Sequence, residues 1–416
     1  MRPWPRFGIQ PLMSQSARKP GFLVHRWYRY SVQALLALIL VISLPLGWIG
    51  RDYFRSQQEQ QVVELIYQHG GRVVYDYQLQ GENIVYETDP PGNEMLRQWF
   101  GDLLYARVVV VALTSDGANE LIPQLSRLGY LRDLTLPQFS LDDRAAESIA
   151  RFGRLHYLTL ANTRVTPEQM QRIAQTKHLK RLKLYGDQFT DAHLAGIASC
   201  RYLQRIEIDG ATVSDAGLRQ VAKVSTLRSI RLSQLPQVSD QGITTLCTLP
   251  QLEALFLTSL PLTDRCLPAI ARLKRLQRLA IRDASSMPQI TDQGVAHLAA
   301  LRQLESLELT PCPLHDDSLA TIGSLRNLRR VDLAGSQITD AGLRHLRELD
   351  SLHSLDIAQT NVTDAGLSSL AAIPSLEFLE VSLDRGITVA GLRKVGFRTN
   401  SIQHSLFYRQ KPSVGH

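Results

Sequence analysis

From residue 131 onward leucine recurs at a fixed interval. The frame L-x-x-L-x-L opens at Leu131, Leu155, Leu179, Leu203, Leu227, Leu252, Leu276, Leu304, Leu328, Leu352 and Leu376, at a spacing of 24 residues interrupted by one interval of 25 and one of 28. A fainter copy, Val108, Val111 and Leu113, precedes them. Alternate residues of an extended segment share a face, so each frame predicts a strand with one buried side. About nine residues into each copy comes a second phrase, such as VSDAGL, VSDQGI, ITDQGV, ITDAGL or VTDAGL, followed by apolar residues at helical period. Each unit is therefore strand, turn and helix. A single unit cannot close a core, whereas stacked units share one, and the predicted fold class is an α/β solenoid with a curved parallel sheet inside and helices outside. At about 4.8 Å between strands, eleven or twelve of them give a concave strip roughly 50 to 60 Å long, an arc and not a ring.

The first hundred residues follow a different pattern. Tyr30 to Gly50 carries no charge between Arg29 and Arg51, and Leu, Ile, Val and Ala dominate its middle. Twenty helical residues cover the roughly 30 Å hydrocarbon layer of a bilayer. Trp27, Tyr28, Tyr30, Trp48, Tyr53 and Phe54 flank the run as interfacial aromatics do. The run is longer than a signal-peptide core and no A-x-A site follows, so it is expected to be an uncleaved signal-anchor, a single-pass transmembrane helix with Pro45 in its last turn. Six bases precede it, against Arg51 and Arg55 after it, which orients the N-terminus to the cytoplasm and the repeats to the extracytoplasmic side of the inner membrane. The expected divisions are a basic cytoplasmic tail (1–29), the anchor (30–50), a juxtamembrane α+β cap (51–106), the repeat domain (107–400) and a C-terminal tail (401–416). Within the cap, 51–69 is predicted helical and stopped by Gly70-Gly71. RVVYDYQLQ and NIVYETD suggest a strand pair, and EMLRQWFGDLLY a short amphipathic helix.

Composition narrows the function. With 44% hydrophobic and 20% charged residues the chain is too apolar to be mainly disordered. Its net charge of +7 looks like a nucleic-acid signal, yet Arg2, Arg6, Arg18, Lys19, Arg26 and Arg29 supply nearly all of it, so no nucleic-acid partner is expected. The histidines form no HExxH or HxH, and there is no G-x-S-x-G and no phosphate-binding loop, so no enzyme, cofactor or metal is expected. Asp143, Asp191, Asp215, Asp240, Asp264, Asp292, Asp316, Asp340 and Asp364 share one repeat position. Their place after Thr or Ser is that of a helix start, where the hydroxyl caps and the carboxylate complements the helix dipole, and a calcium or catalytic role is rejected. The glycine two residues later is expected to allow close helix packing. Cys200, Cys247, Cys266 and Cys312 are expected in the core, unbridged, and the sequon at Asn361 is expected to be an accident of the repeat.

The L-x-x-L-x-L frames with their T-D-x-G-L phrases resemble leucine-rich repeat proteins over roughly residues 107 to 400. The phrasing is similar to the cysteine-containing and ribonuclease-inhibitor-like subclasses, as in the repeat half of F-box proteins. The layout of tail, anchor, GGRVVYDY segment and repeats resembles membrane-anchored repeat proteins of planctomycete-type bacteria. The asparagine or cysteine usual at repeat position nine is here Thr163, Asp187, Ala211, Ala284, Cys312, Ser336 or Thr360, so an unbroken asparagine ladder is absent, and no F-box-like module fits in 51–106. The resemblance implies protein–protein or polymer binding through the concave face, at the x positions of the frame. From Leu179 to Leu276 these hold Lys180, Arg181, Lys183, Tyr185, Arg205, Glu207, Arg228, Arg231, Phe256 and Arg278, a basic patch with two aromatics. Later repeats hold Glu305, Glu308, Arg329, Arg330, Asp332, Asp356, Glu377, Phe378 and Glu380, a more acidic mix. The candidate partner-binding residues are Lys180, Arg181, Lys183, Tyr185, Arg205, Arg231, Phe256 and Arg278. Two alternatives stand beside this reading. One is a structural envelope scaffold with an idle concave face; the other is an intracellular adaptor or ribonuclease-inhibitor-like binder, which requires that 30–50 not span a membrane.

Overall fold

Leucines at alternate positions give each frame a wet and a dry side, and the dry sides of successive frames meet only if the strands lie parallel and in register. The computed structural model, which describes residues 21–80, 83–85, 88, 91, 95, 106–114, 117–282, 289–383, 386–398 and 406–409, has that arrangement. Its parallel strands are β4 (Val108–Ala112), β5 (Asp133–Leu136), β6 (Tyr157–Ala161), β7 (Arg181–Tyr185), β8 (Arg205–Asp209), β9 (Ser229–Ser233), β10 (Ala254–Thr258), β11 (Arg278–Arg282), β12 (Ser306–Thr310), β13 (Arg330–Asp332), β14 (Ser354–Asp356) and β15 (Phe378–Glu380). They pair in sequence order, each with the next. The eleven leucines that open the frames are each no more than 3% exposed, and they form one continuous core with the apolar stripes of the helices.

Both edges of the parallel sheet are covered by antiparallel strands. β1 (Arg72–Tyr75) pairs with β4 at one end, and Leu406–Arg409 pairs with β15 at the other, so part of the expected C-terminal tail closes the sheet. An open parallel edge would present unpaired amides and carbonyls to other chains. β2 (Leu79–Gln80) and β3 (Asn83–Ile84) form the small ribbon expected in the cap; EMLRQWFGDLLY lies outside the described residues apart from Met95, as do residues 1–20 of the N-terminal tail and the insertion at 283–288.

One helix, α1 (Gly21–Gln68), runs through the apolar segment and into the cap. It stops where Gly70 takes a positive φ of 72°, and a Cβ on Gly71 would sit 3.1 Å from the Ala112 carbonyl. Val62, Val63 and Ile66 are buried in the common core. Between 30 and 50 only the side chains of 32, 34–41 and 43 are described, all of them exposed. Among the described residues no helix is long and apolar enough to cross a membrane.

The T-D-x-G phrase does more than cap. Ser214, Ser239, Thr263 and Thr339 each accept an amide of their own first turn, as expected of a cap. The carboxylate that follows reaches into the next repeat. Asp191 accepts the Ser214 amide at 2.8 Å and its hydroxyl at 2.6 Å, and Asp215, Asp240, Asp264, Asp316, Asp340 and Asp364 do the same for Ser239, Thr263, Thr291, Thr339, Thr363 and Thr388. Asp292 does so for His315 through the amide and ring. The glycine makes room for this acceptor. A Cβ on Gly217, Gly242, Gly294, Gly342, Gly366 or Gly391 would lie 2.0–2.3 Å from an oxygen of the preceding repeat's aspartate.

Candidate functional site

Strand alternation sets the outward side chains of β5 to β15 in rows across the sheet. One row runs Asp133, Tyr157, Arg181, Arg205, Ser229, Ala254, Arg278, Ser306, Arg330, Ser354, Phe378. The next runs Thr135, Thr159, Lys183, Glu207, Arg231, Phe256, Ala280, Glu308, Asp332, Asp356, Glu380. A third holds Tyr185, Asp209, Ser233, Thr258 and Arg282. Of the candidate residues, Arg181, Lys183, Tyr185, Arg205, Arg231, Phe256 and Arg278 stand in these rows. Lys180 precedes its strand by one residue, as do Arg228, Glu305, Arg329 and Glu377. The backbone there serves the sheet: the Lys180 carbonyl accepts the amides of both Gln204 (2.8 Å) and Arg205 (2.9 Å). These residues form the rim at which the strands begin.

The rows bring the candidates into contact. Lys183 Nζ lies 3.0 Å from Glu207 Oε2, which also accepts the Tyr185 hydroxyl at 3.3 Å. The Arg231 guanidinium stands 4.3 Å from the Phe256 ring centroid, and that of Arg181 stands 4.9 Å from the Tyr157 centroid. Arg282 donates twice to Glu308, from Nε at 3.0 Å and from Nη2 at 2.6 Å. The near half is thus no bare field of positive charge: three of its bases meet carboxylates, Arg228 at the rim reaching Glu253 at 2.6 Å, and two rest on rings. Tyr157 and Asp133 hold the same repeat positions as Arg181, and tabulating the frames that open at Leu131 and Leu155 finds them.

Toward the far end the second row turns acidic. Burial raises the Asp332 carboxyl above its ordinary range, helped by Glu308 and Glu380 and opposed by the Ala334 amide and Arg282. Asp356 is pushed up to about 6, first by burial and then by its neighbours Asp332 and Glu380. Phe378 is 45% exposed in the adjacent row. At the near end, a hollow of about 120 Å³ is lined by Leu79 of the cap and by Val109, Arg132, Asp133, Tyr157 and Arg181. Burial lifts Asp133 to about 6 against the pull of Arg181 and Lys183.

Other candidate chemistry resolves into structure. Among the described residues no group of three or more His, Cys, Asp or Glu could hold a metal ion. The four cysteines form no disulfide, and burial pushes the thiols of Cys200 and Cys247 up to about 12. At position nine, Thr163 donates to the carbonyls of Leu136 (3.0 Å) and Pro137 (2.8 Å), and Thr360 to that of Ile357 (2.8 Å), a hydroxyl substitute for the missing asparagines.

Comparison with known proteins gives a match over most of the chain. The profile of a leucine-rich repeat region matches residues 109–402. Among curated proteins none matches. Among solved structures, Rad7 in the yeast Rad7–Elc1 complex is similar over 88% of this chain and 90% of its own, at 17% identity and a TM-score of 0.51. An internalin from Listeria monocytogenes is similar over 57% of this chain and 70% of its own, at 24% identity and a TM-score of 0.44.

Proposed function

Because the chain belongs to the leucine-rich repeat family, we propose that it is a binding protein without chemistry of its own, held at a membrane by residues 30–50 and offering its concave face on the extracytoplasmic side to a protein or other extended polymer. One observation carries the binding half: the second outward row runs from the Arg231–Phe256 pair to the carboxylates of Asp332, Asp356 and Glu380. A partner meeting that row encounters cation and aromatic at one end and anion at the other, and so binds in one orientation. The anchor rests on the uncharged run from Tyr30 to Gly50, which falls inside the continuous helix α1 with the side chains of Leu35 to Val41 exposed.

Replacing Arg231 with Glu and Phe256 with Ala should weaken capture of a cross-linked partner at least tenfold while moving stability by no more than about 0.5 kcal/mol, as surface changes do. Capture unaltered by that pair of changes removes the concave face from the reading. Rad7, whose fold this chain shares across most of its length, was solved in complex with another protein, which favours an adaptor as the second reading. Alkaline carbonate separates the two: an anchored chain stays in the membrane pellet, and an adaptor leaves it.

A further inference from the structure

We propose that the edge of the solenoid at which the strands begin is, over the first four complete repeats, a contact surface for anionic phospholipid headgroups. This rests on the reading of residues 30–50 as a membrane anchor. The contacts of α1 show which edge faces that segment. The His69 carbonyl, one residue past its C-terminal end, accepts the Thr114 hydroxyl just past the end of β4. Glu59 and Arg55 meet Gly129 and Tyr130, ahead of the start of β5. The helix therefore runs along the strand direction and, followed back toward its N-terminus, leaves the repeats across the edge where strands begin, carrying 30–50 beyond it. Arg55 follows Gly50 by five residues, about 7 to 8 Å of helix, which is roughly the depth of a headgroup layer.

The chemistry of that edge suits the place. Three guanidinium groups from separate segments gather on the Tyr130 ring, with Arg107 at 4.0 Å, Arg154 at 4.6 Å and Arg55 at 5.5 Å from its centroid. Two repeats on, the His178 ring stacks 6.2 Å from that of Tyr202, which is 58% exposed. The turns at 126–132, 151–156, 175–180 and 199–204 all contain Lys or Arg and contain no Asp or Glu. In the second half of the solenoid acids enter four of the corresponding turns, as Glu253, Glu305, Glu348 with Asp350, and Glu377, while 272–277 and 324–329 keep bases alone; the position of Tyr130, His178 and Tyr202 carries no ring there, being filled by Gln251, Arg275, Gln303, Asn327, Ser351 and Ser375. Aromatic rings between bases are the combination that settles at a lipid–water interface, where rings sit at headgroup depth and bases are drawn to anionic phosphate. The rings at this position, found only in the turns before 203, together with the acids of four later turns, confine the contact to the repeats nearest the anchor.

The test uses the full chain reconstituted in phosphatidylcholine vesicles and in vesicles with about a third phosphatidylglycerol, followed by hydrogen exchange of the turns. Turns 151–156, 175–180 and 199–204 should exchange several-fold more slowly in the anionic vesicles, and turns 300–305 and 348–353 should not change. Joint Arg154→Glu, Lys177→Glu and Arg201→Glu replacement should abolish the difference, at roughly tenfold or more in apparent affinity, while leaving the chain resistant to carbonate. Equal exchange in both vesicle types with a carbonate-resistant chain overturns the edge and spares the anchor. Equal slowing of the far turns overturns the restriction to the first repeats. A chain that carbonate strips but whose near turns are still protected by anionic vesicles supports the edge and removes the anchor, and stripping with no protection ends both.

Discussion

The helix starts on the two sides of Pro167 solve one problem differently. Every such start leaves backbone amides without helical partners. From Asp191 onward the acceptor for the cap residue's amide comes from the preceding repeat, a carboxylate lodged where the next repeat has no side chain. Pro167 occupies the aspartate position of its own repeat and sends nothing forward. There Thr190 donates its amide to His193 Nδ1 of the same helix at 3.1 Å, and His193 Nε2 reaches back to the Val165 carbonyl at 2.6 Å. One repeat earlier, Gln169 bonds both the Thr166 amide and Asp143. The residue at the glycine position thus follows from what the previous repeat delivers. It is glycine where a carboxylate arrives and leaves no space, or a side chain that donates to it, as Ser318 does to Asp292. The repeat motif is a relation between neighbours and not a property of one unit.

The sharpest way to break this comparison is at Gly242, where a Cβ would fall 2.3 Å from Asp215 Oδ1. Gly242→Ala should cost about 2–4 kcal/mol in denaturant unfolding, and Gly242→Ser clearly less, because its hydroxyl can donate as that of Ser318 does. Equal costs for the two would end the account of the glycine. Next, Asp215→Ala orphans the Ser239 amide and hydroxyl and should cost about 1–3 kcal/mol, against no more than about 0.5 for Asp143→Ala at the exposed start of the array. His193→Ala should cost about 1–2 kcal/mol, and a His193→Gln chain should recover most of it if the ring acts as a local acceptor in the manner of Gln169. An alanine variant as stable as the original would mean that the Thr190 amide finds another partner.

The concave face repeats the contrast between ends, with paired charges near and crowded carboxylates far. Asp356 is raised from 3.8 to about 6, so between about pH 4 and 6 the folded chain holds a proton that the unfolded chain has released. Its contribution to stability is greatest below that window and declines as pH rises through it. Asp356→Asn should flatten that decline in melting temperature measured from pH 4 to 7, an effect smaller than those above; an unchanged profile would show that the carboxylate is better solvated than its position implies.

Most of the architecture was legible because its period is local. The frame leucines, the weak opening strand at Val108, the helix starts and the parallel sheet all follow from spacing within 24 residues. The site was legible in part. Spacing placed Arg181, Lys183 and Phe256 on one face but mistook the rim residue Lys180 for a member of it, because a side chain just ahead of a strand does not obey the strand's alternation. Nor does a list of x positions say that Glu207 neutralises Lys183 or that Arg231 lies on Phe256, since those pairs join residues 24 and 25 apart through the register of neighbouring strands.

What the amino-acid order determined by itself is the unit: a strand with one dry face, a capped helix, and their repetition into a stack, because periodicity and propensity act over a few residues. What the tertiary structure decided is every relation across a repeat boundary. Which carboxylate fills which glycine's space, which base meets an acid or a ring, and which edge looks toward the apolar helix depend on distances between residues that only stacking brings together.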